Sequence, residues 1–300
     1  MAISSVRAQI NGTWHTLTYD ATSGAYKATI TAPGATSFNL AGKYYDVVVE
    51  ATNDAGSKAT ASGANLPGLQ LVVKETVKPV ITILSPSSGA FVTNNKQTVT
   101  FNVTDESGGS GINLNSLVVK QDGTAVASSA VKTTVITNGY SVTYTPAAAL
   151  SDGNHTVTIT VSDNDGNAAV EKSTTYKVDT VPPTLNISAP AEGFITNAAS
   201  VTVRGTTNDS TSSPVTIKIT LNGTDQGSVT VESSGAFSKA ITLKEGSNTI
   251  VVTATDSAGK TSTVSRTVTL DTSVPTIQSA TITPNPATTG ASVIISVVVK

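Results

Sequence analysis

Threonine alternates with valine and isoleucine along much of this 300-residue sequence. Residues 156–161 read TVTITV, residues 216–221 read TIKITL, and residues 201–203 read VTV. A two-residue period rich in β-branched residues is typical of strands with one buried face and one face in water. The alternation therefore predicts an all-β chain, and it accounts for much of the total of 51 threonines.

Turn motifs separate the predicted strands. Asn-Gly and Asp-Gly pairs favour the left-handed backbone that two-residue hairpins need. They occur at Asn11-Gly12, Asp122-Gly123, Asn138-Gly139, Asp152-Gly153 and Asn222-Gly223. Each pair is predicted to connect two antiparallel strands. Short strands joined by hairpins are typical of β-sandwiches rather than of parallel α/β folds.

A junction sequence recurs three times. KETVKP ends at Pro79, VDTVPP ends at Pro183, and LDTSVP ends at Pro275, so the copies are 104 and 92 residues apart. A second motif precedes each junction, as NDAG at 53–56, DNDG at 163–166 and DSAG at 256–259. Its glycine lies where a late hairpin is expected to turn. The repetition predicts tandem modules joined by short linkers that proline keeps extended and stiff.

Composition excludes several classes of function. The chain has no cysteine, which removes disulfides, thiol catalysis and thiolate metal sites. The two histidines, His15 and His155, are far apart in the sequence, and no nucleophile motif lies near either. A net charge of −2 disfavours nucleic acid as a partner. The sequence contains no apolar run of about 18 residues, so it does not predict membrane insertion. We therefore predict a protein that is not an enzyme and has no catalytic residues.

The N-terminus bears on the expected location. MAISSVRAQINGTWHTLTY lacks the basic start, the apolar run and the small-residue cleavage site of a secretory signal. This start predicts synthesis in the cytoplasm without such a signal, although the repeats have the look of extracellular modules.

Three motifs carry a family resemblance. D-T-x-x-P at the junctions, x-P-x-x-G-x-x-x-T-N after them and D-x-x-G in the late hairpin resemble bacterial immunoglobulin-like (Big-type) repeats. Such repeats occur in tandem on bacterial adhesins and on bacteriophage virion proteins, and this chain looks most like prophage tail-associated examples. The likeness covers residues 77–275 well and 1–76 more loosely. It implies tandem immunoglobulin-like β-sandwiches with short proline-containing linkers, and it is unspecific for activity.

The repeats divide the chain into three modules and a remainder. Residues 1–76 are predicted to form an N-terminal β-sandwich-like module for docking or assembly, which is short and lacks a strand or two. Residues 77–181 and 182–273 are predicted to form two immunoglobulin-like domains. Residues 274–300 supply the first strands of an incomplete further module. Because a flat apolar edge promotes aggregation, we expect the chain to continue beyond Lys300 or to pair there with a partner strand.

Acidic residues are predicted to gather at the ends of the modules. They are Asp105, Glu106, Asp163, Asp165, Asp179, Asp209, Asp256 and Asp271. Ca²⁺ takes six to eight oxygen ligands, and the DNDGN loop at 163–167 offers several, so Asp163, Asp165 and Asp179 form a candidate Ca²⁺ site. Apart from this ion, no cofactor is expected. The alternative is that these side chains only make turn hydrogen bonds, since the NDAG and DSAG copies lack the second carboxylate.

Aromatic residues concentrate in the first module. Trp14, His15, Tyr44 and Tyr45 form a candidate docking or carbohydrate-binding face, because aromatic rings pack against the C–H groups of sugars. Alternation predicts that one of Trp14 and His15 points inward. The alternative places Trp14 in the core, which a small sandwich must fill with something.

The leading hypothesis is a non-enzymatic virion protein on a bacteriophage tail or particle surface. Its repeats would act as spacers and weak adhesion modules. Its partners would be other virion structural proteins, further copies of itself and cell-wall carbohydrate of the host. Two alternatives remain, a stalk or adhesin on the bacterial cell surface and accessory carbohydrate-binding modules of a longer secreted protein.

Overall fold

The computed structural model describes residues 2–300. These residues form 26 β-strands, joined by turns and by three 3-10 helices of three residues each. None of these helices has the length and hydropathy needed to cross a bilayer. The chain divides into two compact units, residues 1–178 and 179–300. The boundaries predicted at residues 76, 181 and 273 are finer than this division and stay predictions.

The first unit begins with an antiparallel sheet that buries few hydrophobic side chains. Its strands are β1 (Ile3–Ile10), β2 (Thr13–Asp20), β3 (Ala25–Lys27), β4 (Tyr45–Asp46), β5 (Val48–Asn53), β6 (Lys58–Ala61) and β7 (Gln70–Leu71). The five-stranded sheet has the order β3-β2-β1-β5-β6, and β4 pairs separately with β7. Because that second sheet has only two residues in each strand, the buried hydrophobic side chains among residues 2–76 are few, namely Val6, Ala8 and Tyr45.

The rest of the first unit is a two-sheet sandwich. Its strands are β8 (Val80–Ser85), β9 (Phe91–Val92), β10 (Val99–Thr104), β11 (Ile112–Gln121), β12 (Thr124–Ala125), β13 (Val131–Ile136), β14 (Gly139–Tyr144), β15 (Gly153–Asp163) and β16 (Lys172–Val178). One sheet has the order β13-β14-β10-β8, and the other has β12-β11-β15-β16-β9. Side chains from both sheets meet in one core that includes Phe101, Ile159 and Tyr176.

The second unit repeats this architecture. Its strands are β17 (Thr184–Ala189), β18 (Phe194–Thr196), β19 (Ser200–Asn208), β20 (Thr216–Leu221), β21 (Thr224–Asp225), β22 (Ala236–Thr242), β23 (Gly246–Thr255) and β24 (Thr261–Leu270). The sheets have the orders β17-β19-β22 and β18-β24-β23-β20-β21, and their core includes Val203, Ile219 and Phe237. In both sandwiches a short second strand, β9 or β18, pairs in parallel with the last strand, β16 or β24. The prediction of tandem immunoglobulin-like sandwiches is confirmed.

A hairpin follows the second sandwich. Strands β25 (Ile277–Thr283) and β26 (Ile294–Val299) pair with each other in an antiparallel sheet of two strands. Every residue of this hairpin is exposed, including large aliphatic side chains such as Ile277 and Ile294.

The alternation of the sequence corresponds to the two faces of the strands. On β15, Val157, Ile159 and Val161 are at most 2% exposed, whereas the threonines between them are half-buried on the outer face. The outer position suits threonine because its β-branched backbone preference fits a strand while its hydroxyl stays in contact with water.

Most of the predicted hairpins are present. Asn11, Asp122, Asn138 and Asn222 have positive φ angles of 48° to 58° between paired strands. The hairpin predicted at Asp152-Gly153 is wrong, since Gly153 begins β15, which lies in the opposite sheet from β14. Here the chain crosses from one sheet to the other. An Asp-Gly pair in the sequence does not distinguish such a connection from a hairpin.

Candidate functional site

A buried polar side chain closes the late hairpin of each repeat. Asn53, Asp163 and Asp256 each lie three residues before the glycine of their motif, and each is at most 8% exposed. In each of them Oδ1 accepts hydrogen bonds from two backbone N–H groups two to four residues later, at 2.7 to 3.0 Å. The motif therefore forms the same side-chain-capped turn three times, with a neutral amide in the first copy and a carboxylate in the other two.

Two further acidic positions follow the repeat. The spacing of 104 residues that relates Pro79 to Pro183 also relates Glu75 to Asp179 and Asp105 to Asp209. Glu75 and Asp179 lie at the junctions, and Asp105 and Asp209 directly follow β10 and β19. Strand ends, junctions and late hairpins thus bring carboxylates together at corresponding places of the two sandwiches.

In the second unit this arrangement forms the third-domain acidic group, which consists of Asp179, Asp209 and Asp256. The three residues are 0%, 8% and 6% exposed, and one carboxylate oxygen from each lies within 4.8 Å of the other two. Asp209 Oδ1 accepts the backbone N–H of Ser212 at 2.6 Å, and Asp179 Oδ2 accepts its hydroxyl. Oδ2 of Asp256 is buried and has no hydrogen-bond partner.

In the first unit the corresponding place holds the second-domain acidic group, which consists of Glu75, Asp105 and Glu106. Their carboxylate oxygens also lie within 4.8 Å of one another. Oδ2 of Asp105 accepts the backbone N–H of Gly111 at 2.7 Å, but Asp105 Oδ1 and Glu106 Oε2 are buried without a partner. This group therefore also contains buried carboxylate oxygens that no donor satisfies.

The electrostatics of this group follow from its crowding. Burial raises the pKa of Glu75 to about 7, and the neighbouring Asp163 carboxylate adds to the shift. Burial likewise raises the pKa of Asp105 to about 6, together with the adjacent Glu106. Burial also acts to raise the pKa of Asp163, but hydrogen bonds from Asn167 outweigh it and the net pKa is lowered. The raised pKa values of Glu75 and Asp105 are the expected result of burying like charges close together, since both burial and a neighbouring carboxylate disfavour ionisation.

The predicted combination of Asp163, Asp165 and Asp179 is not one group in the structure. Asp179 lies in the third-domain acidic group, whereas Asp163 accepts turn hydrogen bonds from Gly166 and Asn167. The Asp165 carboxylate joins the first module to the sandwich that follows. Its Oδ2 accepts the Glu75 backbone N–H at 3.0 Å and the Thr36 hydroxyl at 2.5 Å. The second carboxylate of DNDG therefore has a structural partner that the sequence motif did not reveal.

The predicted aromatic face is also dispersed. Trp14 is 38% exposed on the outer face of β2, with the Arg7 guanidinium carbon 4.2 Å from its ring centroid, so the core placement is wrong. His15 is half-buried on the opposite face. Tyr45 is buried and donates its hydroxyl hydrogen bond to the Ala35 carbonyl at 3.0 Å, while Tyr44 is half-buried. These residues do not share one exposed surface.

His155 has a structural partner on each ring nitrogen. Nδ1 lies 2.7 Å from Oδ2 of Asp122, and Nε2 lies 2.8 Å from the Ser151 carbonyl oxygen. Burial lowers the pKa of His155, but the hydrogen bonds to Asp122 and Ser151 outweigh it and raise the pKa above its usual value. With both nitrogens engaged, the ring fixes the start of β15 and is not free to accept a proton from a substrate.

The chain is distantly similar to several solved structures. Fibronectin(III)-like modules of CbhA from Clostridium thermocellum are 20% identical, with a TM-score of 0.40, and cover 64% of this chain and 94% of theirs. Sidekick-1 immunoglobulin domains 1–5 are 13% identical, with a TM-score of 0.39, and the match covers 92% of this chain and 55% of that one.

Sequence comparisons match separate parts of the chain. Bacillopeptidase F of Bacillus subtilis (strain 168) is 29% identical over 117 residues, which are 39% of this chain and only 8% of that relative. Residues 79–159 match the family model of a bacterial Ig domain, and residues 183–272 match that of glucodextranase domain B. Together with the repeated sheet topology, these family matches support the conclusion that the chain is a tandem immunoglobulin-like repeat protein.

Proposed function

We propose that this chain is a non-enzymatic spacer on the surface of a bacteriophage particle, where its immunoglobulin-like domains display a polar surface of low net charge toward the host. The observation that carries the proposal is the hydroxyl-rich outer face of both sandwiches. We define the hydroxyl face of the second unit as the hydroxyl-bearing outer side chains of β23 and β24, with Val251 as the one apolar residue among them. These are Ser247, Thr249, Thr253, Thr255, Thr261, Thr263, Ser265, Thr267 and Thr269.

The hydroxyl face is ordered by pairing across the strands. Thr253 lies opposite Thr263, and their hydroxyl oxygens are 3.2 Å apart. In the first unit, Thr156 and Thr175 pair in the same way at 3.0 Å. Neighbouring hydroxyls on a rigid sheet offer regularly spaced donors and acceptors, which suits weak contact with carbohydrate. Many weak contacts on one particle add up through avidity.

The other potentially reactive groups have structural roles. His155 is held by Asp122 and Ser151, and Asp165 joins the first module to the sandwich after it. Immunoglobulin-like domains are typically non-catalytic, which supports the non-enzymatic part of the proposal. On this proposal, residues 1–76 dock the chain to other virion proteins or to further copies of itself.

The comparisons favour a second candidate, accessory modules of a longer secreted protein. Bacillopeptidase F is a peptidase by name, and the matching segment is a small part of its length. Glucodextranase domain B is likewise named as one domain of an enzyme. On this second proposal, the present domains would hold or present a catalytic domain, and the hydroxyl face would again contact a polysaccharide or cell wall.

A sedimentation experiment tests the carbohydrate contact. The purified chain, displayed in many copies on beads, is incubated with isolated host cell walls and centrifuged. We expect co-sedimentation that soluble wall carbohydrate reverses. Thr263→Lys should reduce it because a charge enters the hydroxyl face, whereas Thr242→Lys on the other sheet should not. Equal binding by the two variants, or no binding by the wild-type chain, would contradict the proposed role of this face.

A further inference from the structure

The third-domain acidic group lacks a counter-charge. None of the ion pairs among residues 2–300 involves Asp179, Asp209 or Asp256. A buried carboxylate is stable only when it is hydrogen-bonded, paired with a cation or protonated. Asp179 and Asp209 accept hydrogen bonds. Asp256 is only 6% exposed, and its Oδ2 has no hydrogen-bond donor. The group of three carboxylates therefore contains a buried oxygen that no donor satisfies.

We propose that the third-domain acidic group binds one Ca²⁺ ion and that the second-domain acidic group binds another. The inference rests on the side chains at the two domain ends and does not depend on the proposed function. It replaces the site predicted at Asp163, Asp165 and Asp179 with two sites, one in each compact unit.

The donor atoms select a hard cation. The third-domain group offers three carboxylates and the Ser212 hydroxyl, which is buried against Asp179. Zinc prefers nitrogen and sulfur ligands, and magnesium keeps several waters in a strict octahedron. Calcium accepts six to eight oxygens at about 2.3 to 2.6 Å in flexible geometry. Oxygens on opposite sides of such an ion are about 4.8 Å apart, so carboxylate oxygens that all lie within 4.8 Å of one another are close enough to share one ion.

The second-domain acidic group supports the same interpretation independently. Asp105 is 7% exposed, and its Oδ1 and the neighbouring Oε2 of Glu106 are buried without partners. The carboxylates of Glu75, Asp105 and Glu106 lie close together, and like charges at such distances repel one another unless a cation lies between them. A divalent cation would neutralise this repulsion and supply the missing partner for both orphaned oxygens.

The test is calcium titration of the full chain after treatment with EDTA, followed by isothermal calorimetry and by differential scanning calorimetry. We expect two bound ions for each chain. At a hundredfold excess of Ca²⁺ over the dissociation constant, the melting temperature of each sandwich should rise by about 10 °C. Mg²⁺ at the same concentration should bind at least tenfold more weakly.

Asn substitutions locate the ions. Asp256→Asn should fold, because Asn53 makes the same two turn hydrogen bonds in the first module, and it should reduce the stoichiometry to one. Asp105→Asn should remove the other ion. Asp271→Asn is the matched control, since Asp271 is the exposed junction residue corresponding to Asp179 and belongs to neither acidic group. It should still bind two ions.

Several outcomes would overturn the inference. Absence of binding heat at millimolar Ca²⁺ with an unchanged melting temperature would refute both sites. Two ions retained by Asp256→Asn would refute the third-domain site, and two retained by Asp105→Asn would refute the second-domain site. Equal affinity for Mg²⁺ would refute the assignment to calcium. A stoichiometry lowered by Asp271→Asn would show that the ion is held elsewhere.

Discussion

Two adjacent residues of β19 test whether alternation decides which side chains form the core. Val203 is fully buried, and its neighbour Thr202 is half-buried on the outer face. Val203→Thr replaces a methyl group by a hydroxyl of similar size inside a core of aliphatic side chains. A buried hydroxyl without a partner costs about 1 to 3 kcal/mol. Thr202→Val makes the reverse change on the outer face and should alter stability by no more than about 0.5 kcal/mol.

Native-state hydrogen exchange read by mass spectrometry is the suitable assay. The tryptophan and all seven tyrosines lie in residues 1–178, so intrinsic fluorescence does not report on this domain. For Val203→Thr, the best-protected amides of residues 184–270 should exchange about 5- to 150-fold faster. For Thr202→Val, the rates should stay within about threefold of wild type. Equal effects of the two substitutions, or a larger loss for Thr202→Val, would refute the assignment of faces.

Three further predictions concern other contacts. In an NMR titration, the pKa of His155 should lie above 6.5, and Asp122→Asn should lower it because burial then acts without the carboxylate. Since folding raises this pKa, the stabilisation by His155 is complete below about pH 6.5 and is lost as the pH rises through the folded value; a folded pKa at or below 6.5 would contradict this. Asp165→Ala should lower the free energy of unfolding by about 1 kcal/mol for the lost acceptor, and therefore lower the urea midpoint reported by Trp14 fluorescence. An unchanged midpoint would show that the contact with the first module is not stabilising. Gly205→Ala would place a Cβ atom 2.3 Å from a backbone carbonyl oxygen of the neighbouring strand, so it should cost about 1 to 3 kcal/mol in calorimetry, and wild-type stability would refute this close approach.

The architecture could be predicted because local and repeated signals agree. Alternation at 156–161 assigns each side chain to a face, and positive φ at Asn222 follows from its Asn-Gly pair. The junction prolines directly precede β8 and β17. These features depend on neighbours in the sequence or on comparison of one repeat with another, and they need no knowledge of distant contacts.

The acidic groups could be predicted only in part. The sequence indicates that acidic residues gather at module ends. Its most conspicuous acidic motif contains Asp163 and Asp165, but these two side chains accept hydrogen bonds within a turn and from the first module. The spacing that relates Glu75 to Asp179 and Asp105 to Asp209 is the signal that identifies the groups. Which oxygen is left without a donor depends on the path of three separate loops, and no local pattern encodes it.

The position of Trp14 shows the limit of periodicity. Alternation on β2 predicts that Trp14 and His15 lie on opposite faces, but it does not predict which face is covered. The answer depends on contacts with parts of the chain distant in sequence, and the two-residue strands β4 and β7 are too short to give a pattern of their own.

The most direct test of the central claim is immunogold electron microscopy of particles released from an induced producing strain, with an antibody raised against residues 182–273. We expect gold label at a fixed place on intact particles, with the chain enriched in the particle fraction relative to the cleared supernatant. Unlabelled particles, with the chain found in the supernatant as part of a larger secreted enzyme, would contradict it.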